Sequence, residues 1–236
     1  MKIIKNVKLK IDEDEVLRYL DYSKNKVEKP KEIILQVTRE EIKQAYNLFQ
    51  PQAIYASFKI KKISFSEGEI NLERGFPLYF NNSVIDFLKR ADYLFFGVVT
   101  IGNSLEDKTS EFFAHKEYSR PLALDAVGTV ATRYLSQYVR NIICQEAKEQ
   151  HLQTTKHLTP GTTEWDISQQ KNIFEIIPAD KIGERLTESY MMIPKKSLSW
   201  AIGAGKNIIK SSKDNGSCQI CQAINCQFRK TSSGFR

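Results

Sequence analysis

No apolar run in this chain approaches the roughly 20 residues a membrane helix needs; Tyr93–Thr100 is typical of the longest. Nor does Met1-Lys2-Ile3-Ile4-Lys5 lead into the apolar stretch of a signal peptide, so a cytoplasmic protein with no membrane partner is expected. Histidine is scarce: His115, His151 and His157 are too scattered to name a triad. No Gly-x-Ser-x-Gly elbow, His-Glu-x-x-His helix or kinase set occurs, so ordinary hydrolysis has no signature and no catalytic side chain is assigned. Gly203-Ala204-Gly205-Lys206 fails as a phosphate loop, because its glycines are not five apart and no Gly-Lys-Ser/Thr follows. Basic residues are spread too thinly for the dense stripe of a nucleic-acid module, and no such partner is expected.

What is present is an ordinary globular composition. The 236 residues are 41% hydrophobic and 27% charged, enough to bury a core without disulfides. Thirty-five Lys and Arg against 28 Asp and Glu leave a net charge of +7, which favours acidic partners. Cys144 lies alone within a helical pattern and reads as a small buried hydrophobe. Cys218, Cys221 and Cys226 cluster near the end, where three thiolates within nine residues could hold a soft metal or an iron-sulfur group if a fourth ligand came from elsewhere, the alternatives being free thiols in the cytosol or a disulfide in an oxidising compartment.

The polar, Ser- and Gly-bearing stretch Lys210–Ser217 divides a body of residues 1–209 from a cysteine-bearing tail, 210–236. Within the body, Ile3–Ile11 alternates like a strand, and Asp12 caps a helix containing Val16, Leu17 and Leu20. Pro30 opens and Pro51 ends a second helix. From Gln52 the period becomes two, with a possible bulge at Lys61-Lys62. Asn82 or Ser83 caps a short helix, and Leu94–Ile101 reads as a central strand covered on both faces. The strongest helical period runs from Pro121 to Glu149, on the stripe Val127, Ala131, Tyr134, Tyr138 and Ile142, widened by Leu135, Val139 and Ile143. Gly128 inside it costs about 1 kcal/mol relative to Ala, recovered if another backbone packs closely there. A loop, Thr159–Thr163, precedes a helix over Asp166–Ile177, and Leu186–Ile193 and Leu198–Gly205 are apolar stretches. In the first of these, Glu188 sits with two hydroxyls and a phenol in a strand otherwise built of core residues. Irregular interspersion of strands and helices gives α+β with a mainly antiparallel sheet.

Five blocks, in order, resemble the reactivation domain of cobalamin-dependent methionine synthase, in the stand-alone form of anaerobic bacteria. They are Val16–Tyr22, Val98–Gly102, Leu124–Thr129, Thr159-Pro160-Gly161 with Trp165 and Gln170, and Leu186–Ser197. The resemblance spans about residues 10–205, and the Thr-Glu-Ser-Tyr-Met-Met-x-Pro run is its most specific part. It implies a C-shaped α+β domain whose bent antiparallel sheet, with flanking helices, holds S-adenosylmethionine beside a docked corrinoid protein. The implied activity is repair: cob(II)amide is reduced by a flavodoxin- or ferredoxin-like donor and captured by methylation. The cobalt is the nucleophile, so the protein supplies position and a polar pocket rather than an acid or base.

On this resemblance the ligand-binding residues are His157, Pro160, Gly161, Thr162, Glu188, Ser189 and Tyr190. The family's loop reads Arg-x-x-x-Gly-Tyr, with the arginine on the ligand carboxylate; this chain has His157-x-x-x-Gly161-Thr162. Arg133 stands where the family's long helix carries an acidic residue. The chain lacks the Asp-x-His-x-x-Gly motif of a cobalamin domain, so its corrinoid would come from a partner protein. The alternatives are a non-catalytic scaffold that docks a corrinoid protein, and a metal or electron-relay module using the terminal cysteines.

Overall fold

The structure is a computed structural model that describes residues 1–22, 29–73, 77–162 and 165–208. Its centre is an antiparallel sheet in the order β4-β3-β2-β5-β9-β6, with β1 on the first half of β2. The strands are β1 (Lys2–Lys5), β2 (Gln52–Ser64), β3 (Glu69–Leu72), β4 (Leu78–Tyr79), β5 (Tyr93–Thr100), β6 (Gln153–Leu158) and β9 (Ser197–Gly205). A separate two-stranded hairpin joins β7 (Arg185–Leu186) to β8 (Met192–Ile193). The fold is thus α+β, a curled antiparallel sheet flanked by helices.

The long strand β2 explains much of the curl. Its first half pairs with β1 on one side and β5 on the other, from Gln52↔Thr100 to Lys59↔Tyr93. At Lys61 the register shifts, Ile60 pairing with Leu72 and Lys62 with Asn71, and β2 continues against β3. The doubled lysine does mark a bulge, which bends the strand away from its first partner.

The helices are α1 (Glu13–Tyr19), α2 (Glu32–Ala45), α3 (Asn82–Leu88), α4 (Ser104–Ala114), α5 (Ser119–Glu149) and α6 (Gln170–Ile176). Asp12 caps α1, its carboxylate accepting from the amides of Asp14 and Glu15. Both faces of the sheet are covered. On one, α1, α2 and α5 bury Tyr55, Phe95, Val99, Trp200 and Ile202; on the other, α3, α6 and the β3–β4 arm bury Ile54, Phe96, Val98 and Ala201. Central β5 is buried along nearly its whole length, as two covered faces require.

Several expected elements are corrected. Of the Ile3–Ile11 stretch only the part within β1 (Lys2–Lys5) is strand, because pairing with β2 stops at Gln52. Helix α2 ends at Ala45, six residues before Pro51, and Asn81 rather than Asn82 or Ser83 caps α3 by accepting from the Val84 amide. On α5 the expected Val127, Ala131, Leu135, Val139 and Ile143 are buried and Tyr134 and Ile142 pack at the core's edge, but Tyr138 is exposed. What closes on Gly128 is side chain, not backbone: an added Cβ would stand 2.9 Å from Leu105 Cδ2 and 3.3 Å from Lys196 Cδ.

Candidate functional site

Four of the five sequence blocks meet at one end of the sheet, where β5 ends and β9 begins. Lys196 is the hub. Its amide donates to Glu106 Oε1 (2.8 Å) and its carbonyl accepts from the Ile101 amide (3.2 Å) and Thr132 Oγ1 (3.2 Å). Its ammonium reaches Asp125 Oδ1 (2.8 Å) and Thr129 Oγ1 (2.9 Å). The runs Val98–Gly102, Leu124–Thr129 and Leu186–Ser197 are therefore one constellation in space.

Beneath Lys196 lies a buried polar relay. Ser197 Oγ is 2.6 Å from Glu184 Oε1 and 2.9 Å from Thr100 Oγ1, which also accepts from the Gly102 amide (3.1 Å). A serine hydroxyl has one proton, so it can donate along only one of those two contacts. A protonated Glu184 completes the chain by donating to Ser197. The environment favours that form: Glu184 is 2% exposed, and burial, opposed by hydrogen bonds from Ser197 and Thr100 and reinforced by Glu106, raises its pKa to about 7. Its second oxygen has no partner among the described residues.

The hairpin rooted on this relay carries Glu188, Ser189 and Tyr190. They do not lie in a strand of core residues, as their sequence suggests, but in the turn between two-residue strands. Thr187 closes that turn: its amide donates to the Met191 carbonyl (2.9 Å), its hydroxyl accepts from the Met191 amide (3.0 Å), and its carbonyl accepts from the Tyr190 amide (3.0 Å). Tyr190 takes a positive φ of 63°. Glu188 and Ser189 are exposed, and Met191 (58% exposed) faces outward while Met192 packs into the core.

The His157–Thr162 segment arrives from the other side of β9. His157 is in strand β6, not in a loop, and pairs with Ile202; Leu158 pairs with Ala201. Pro160 is buried, whereas Gly161 and Thr162 are exposed. Gly161 has φ +87° and donates to the Trp165 carbonyl (2.9 Å), so a residue free to adopt the left-handed region suits this turn. Gln170, 4% exposed, ties the hairpin to β9: its Nε2 donates to the Tyr190 carbonyl (2.7 Å) and its Oε1 accepts from Ser199 Oγ (2.8 Å).

Glu184 was not among the expected site residues. Gly183, with φ +78°, is the local signal that the chain turns there, but nothing in Gly-Glu-Arg announces a buried acid. Cys218, Cys221 and Cys226 lie outside the described residues; among those described, no group of three or more His, Cys, Asp or Glu could hold a metal ion. No described helix is long and apolar enough to cross a membrane. Hollows of about 420 Å³ beside Phe58 and about 160 Å³ between α1, α2 and α5 lie apart from the cluster.

No family model matches the chain, and no curated protein does. Among solved structures, the fold is similar to the MetH reactivation domain bound to AdoHcy, with a TM-score of 0.69 and 14% identity over 89% of this chain and 80% of that one.

Proposed function

We propose that this protein is a reactivation or accessory subunit for a corrinoid-dependent methyltransferase, supporting reductive methylation of cob(II)amide with S-adenosylmethionine. The supporting observation is the likeness in fold, over nearly the whole chain, to a reactivation domain solved with S-adenosylhomocysteine. In this reading one electron from a flavodoxin- or ferredoxin-like donor converts cob(II)amide to cob(I)amide. The cobalt nucleophile then takes the sulfonium methyl, leaving methylcobalt and S-adenosylhomocysteine. The chain's own residues bind and position: the β7–β8 turn offers Glu188, Ser189 and Met191 to a docked corrin face, and the β6 end offers His157, Pro160, Gly161 and Thr162 to the nucleoside ligand. A net charge of +7 suits an acidic corrinoid protein and speeds its approach.

Two measurements test this. Calorimetric titration with S-adenosylmethionine and S-adenosylhomocysteine should show saturable one-to-one binding. Pull-down should retain the cob(II)amide form of a cognate corrinoid protein more strongly than the methylated form, with Glu188→Ala weakening the complex without unfolding the domain. Equal capture of both corrinoid states, or of neither, rejects the repair role.

A second reading, a docking scaffold without ligand chemistry, draws on the basic character of the site. Arg133 is exposed on α5, and His157 stands on the facing strand. Docking without any nucleoside binding is the result that would select it.

A further inference from the structure

Strand β2 has a break along one of its edges. Strand β5 occupies the other edge from Gln52 to Lys59, so β1 and β3 share this one. Of these, β1 pairs with it only as far as Tyr55, and β3 only from Ile60 onward. Residues 56–59 lie between the two. Main-chain groups alternate between the two edges along an antiparallel strand. The Ile60 amide donates to the Asp92 carbonyl (2.9 Å), beside β5, and the Lys59 carbonyl accepts from the Glu73 amide (2.9 Å), beside β3. By that alternation Ser57 N–H and C=O and Lys59 N–H point into the break, where no strand pairs with them among the described residues. A hollow of about 420 Å³ occupies the same place, lined by residues 56–59 with Met1 and Glu73. An open ladder edge of this kind is a template for one more strand.

The chain itself supplies a candidate strand nearby. The described residues end at Ile208, just past β9, and 28 residues of sequence follow. Strand β9 ends on the row Lys59↔Tyr93↔Ala204, so a strand docked on the open edge of β2 lies three strand spacings, about 14 Å, from that exit. The eight polar residues 210–217 reach up to about 26 Å, ample for the crossing. Residues 220–224 then alternate, with Ile220 and Ile224 on one side and Cys221 and Ala223 on the other. The break is divided in the same way: Ala56 and Phe58 pack toward the core, while Ser57 and Lys59 are exposed.

We propose that residues 220–224 dock in this break as an added strand, tying the C-terminal tail to the open edge of β2. Cys221 and Ala223 then share the face of Ser57, and the isoleucines share that of Ala56 and Phe58. The assignment is independent of the function proposed above. Hydrogen exchange of the whole chain tests it. The Ser57 amide should be protected about as well as that of Tyr55, its nearest paired neighbour on that edge. Cys221→Pro with Ala223→Pro removes the tail N–H groups that face Ser57 and should speed its exchange about tenfold or more, with β5 unchanged. A Ser57 amide that exchanges like an unstructured peptide, or whose protection survives both prolines, overturns the proposal. Protection that grows with protein concentration also overturns it, giving the break to a second copy. As a covalent check, Ser57→Cys under oxidised glutathione should close a disulfide to Cys221 within one chain, since residues opposite one another hold their Cβ atoms about 5 Å apart. The comparison is Lys89→Cys, exposed at the end of α3 beside Arg90, whose carbonyl lies against Gly205. Equal rates at the two positions, or a disulfide shared evenly among Cys218, Cys221 and Cys226, would show chance encounter and sink the docked strand.

Discussion

Strands β5 and β9 join twice in different ways. In the middle, Gly97 faces Trp200 across the pair, and a Cβ on that glycine would stand 2.3 Å from the indole ring. At the end, Thr100 faces Ser197, and the two hydroxyls continue a hydrogen-bond chain from the buried Glu184 carboxyl. The middle is held by shape and burial, which are non-directional and tolerate no added volume. The end is held by directed polar contacts, whose net stabilisation is small but whose partners are expensive to leave unpaired. Three positions along one strand pair thus separate a junction that makes the fold from one that fixes the orientation of a hairpin.

The middle should be the more fragile to added bulk. Gly97→Val should cost about 3 kcal/mol or more, since the indole cannot move without displacing the core between sheet and α5. Urea unfolding measures it, and Trp200→Leu in the same chain should recover part of the loss. A cost below about 1 kcal/mol would mean the indole yields easily and the contrast is false.

The end should instead be sensitive to pH. Glu184 has a folded pKa near 7, raised above its ordinary value, so folding binds a proton there. The stability tied to that proton is complete below the ordinary carboxylate range and is lost as pH rises through about 7. Between pH 5 and 8 this amounts to about 2 kcal/mol. Glu184→Gln keeps the shape without the charge and should flatten that slope, leaving the variant more stable than the parent at pH 8. An unchanged slope would remove Glu184 as its source.

The middle was far more legible than the end. Leu94–Ile101 announces a covered strand by an unbroken apolar run, and Pro121–Glu149 a helix by its period, because burial by shape writes itself into spacing. Gln153–Leu158 carries no such pattern; Gln-Thr-Thr-Lys-His is strand because β9 offers it a partner. Leu186–Ile193 looked like a strand because its apolar residues outnumber its polar ones, yet Thr187 closes a local turn that spacing does not reveal. The resemblance found the blocks around the site, but their meeting point, Lys196 on Thr132 and Ile101, depends on contacts across 64 and 95 residues that no local pattern carries.

Gln170 tests whether the end positions the hairpin. Its loss in Gln170→Ala strands the Ser199 hydroxyl and the Tyr190 carbonyl together, at a cost of about 1–2 kcal/mol. The specific consequence should be local: faster amide exchange at Thr187–Met191 than in β5, with weaker capture of the proposed corrinoid partner. Uniformly faster exchange through β5 as well would show that Gln170 holds the fold and not the hairpin.

The smallest effect should come from the contact that looks strongest on the surface. Lys196 meets Asp125 at 2.8 Å, but Asp125 is 57% exposed, and an exposed ion pair is worth at most about 1 kcal/mol. The lysine has other holds: its ammonium bonds Thr129, its stem packs over Gly128, and its backbone bonds Glu106, Ile101 and Thr132. Asp125→Asn should therefore cost well under 1 kcal/mol, and the difference should shrink in high salt as the pair is screened. Lys196→Met retains most of the stem and all the backbone contacts and should remain folded with the hairpin still protected from exchange. If Asp125→Asn cost more than Gln170→Ala, the polar end would be held by its rim charge instead of its buried hydrogen bonds. The distinction between its two layers would then have to be reversed.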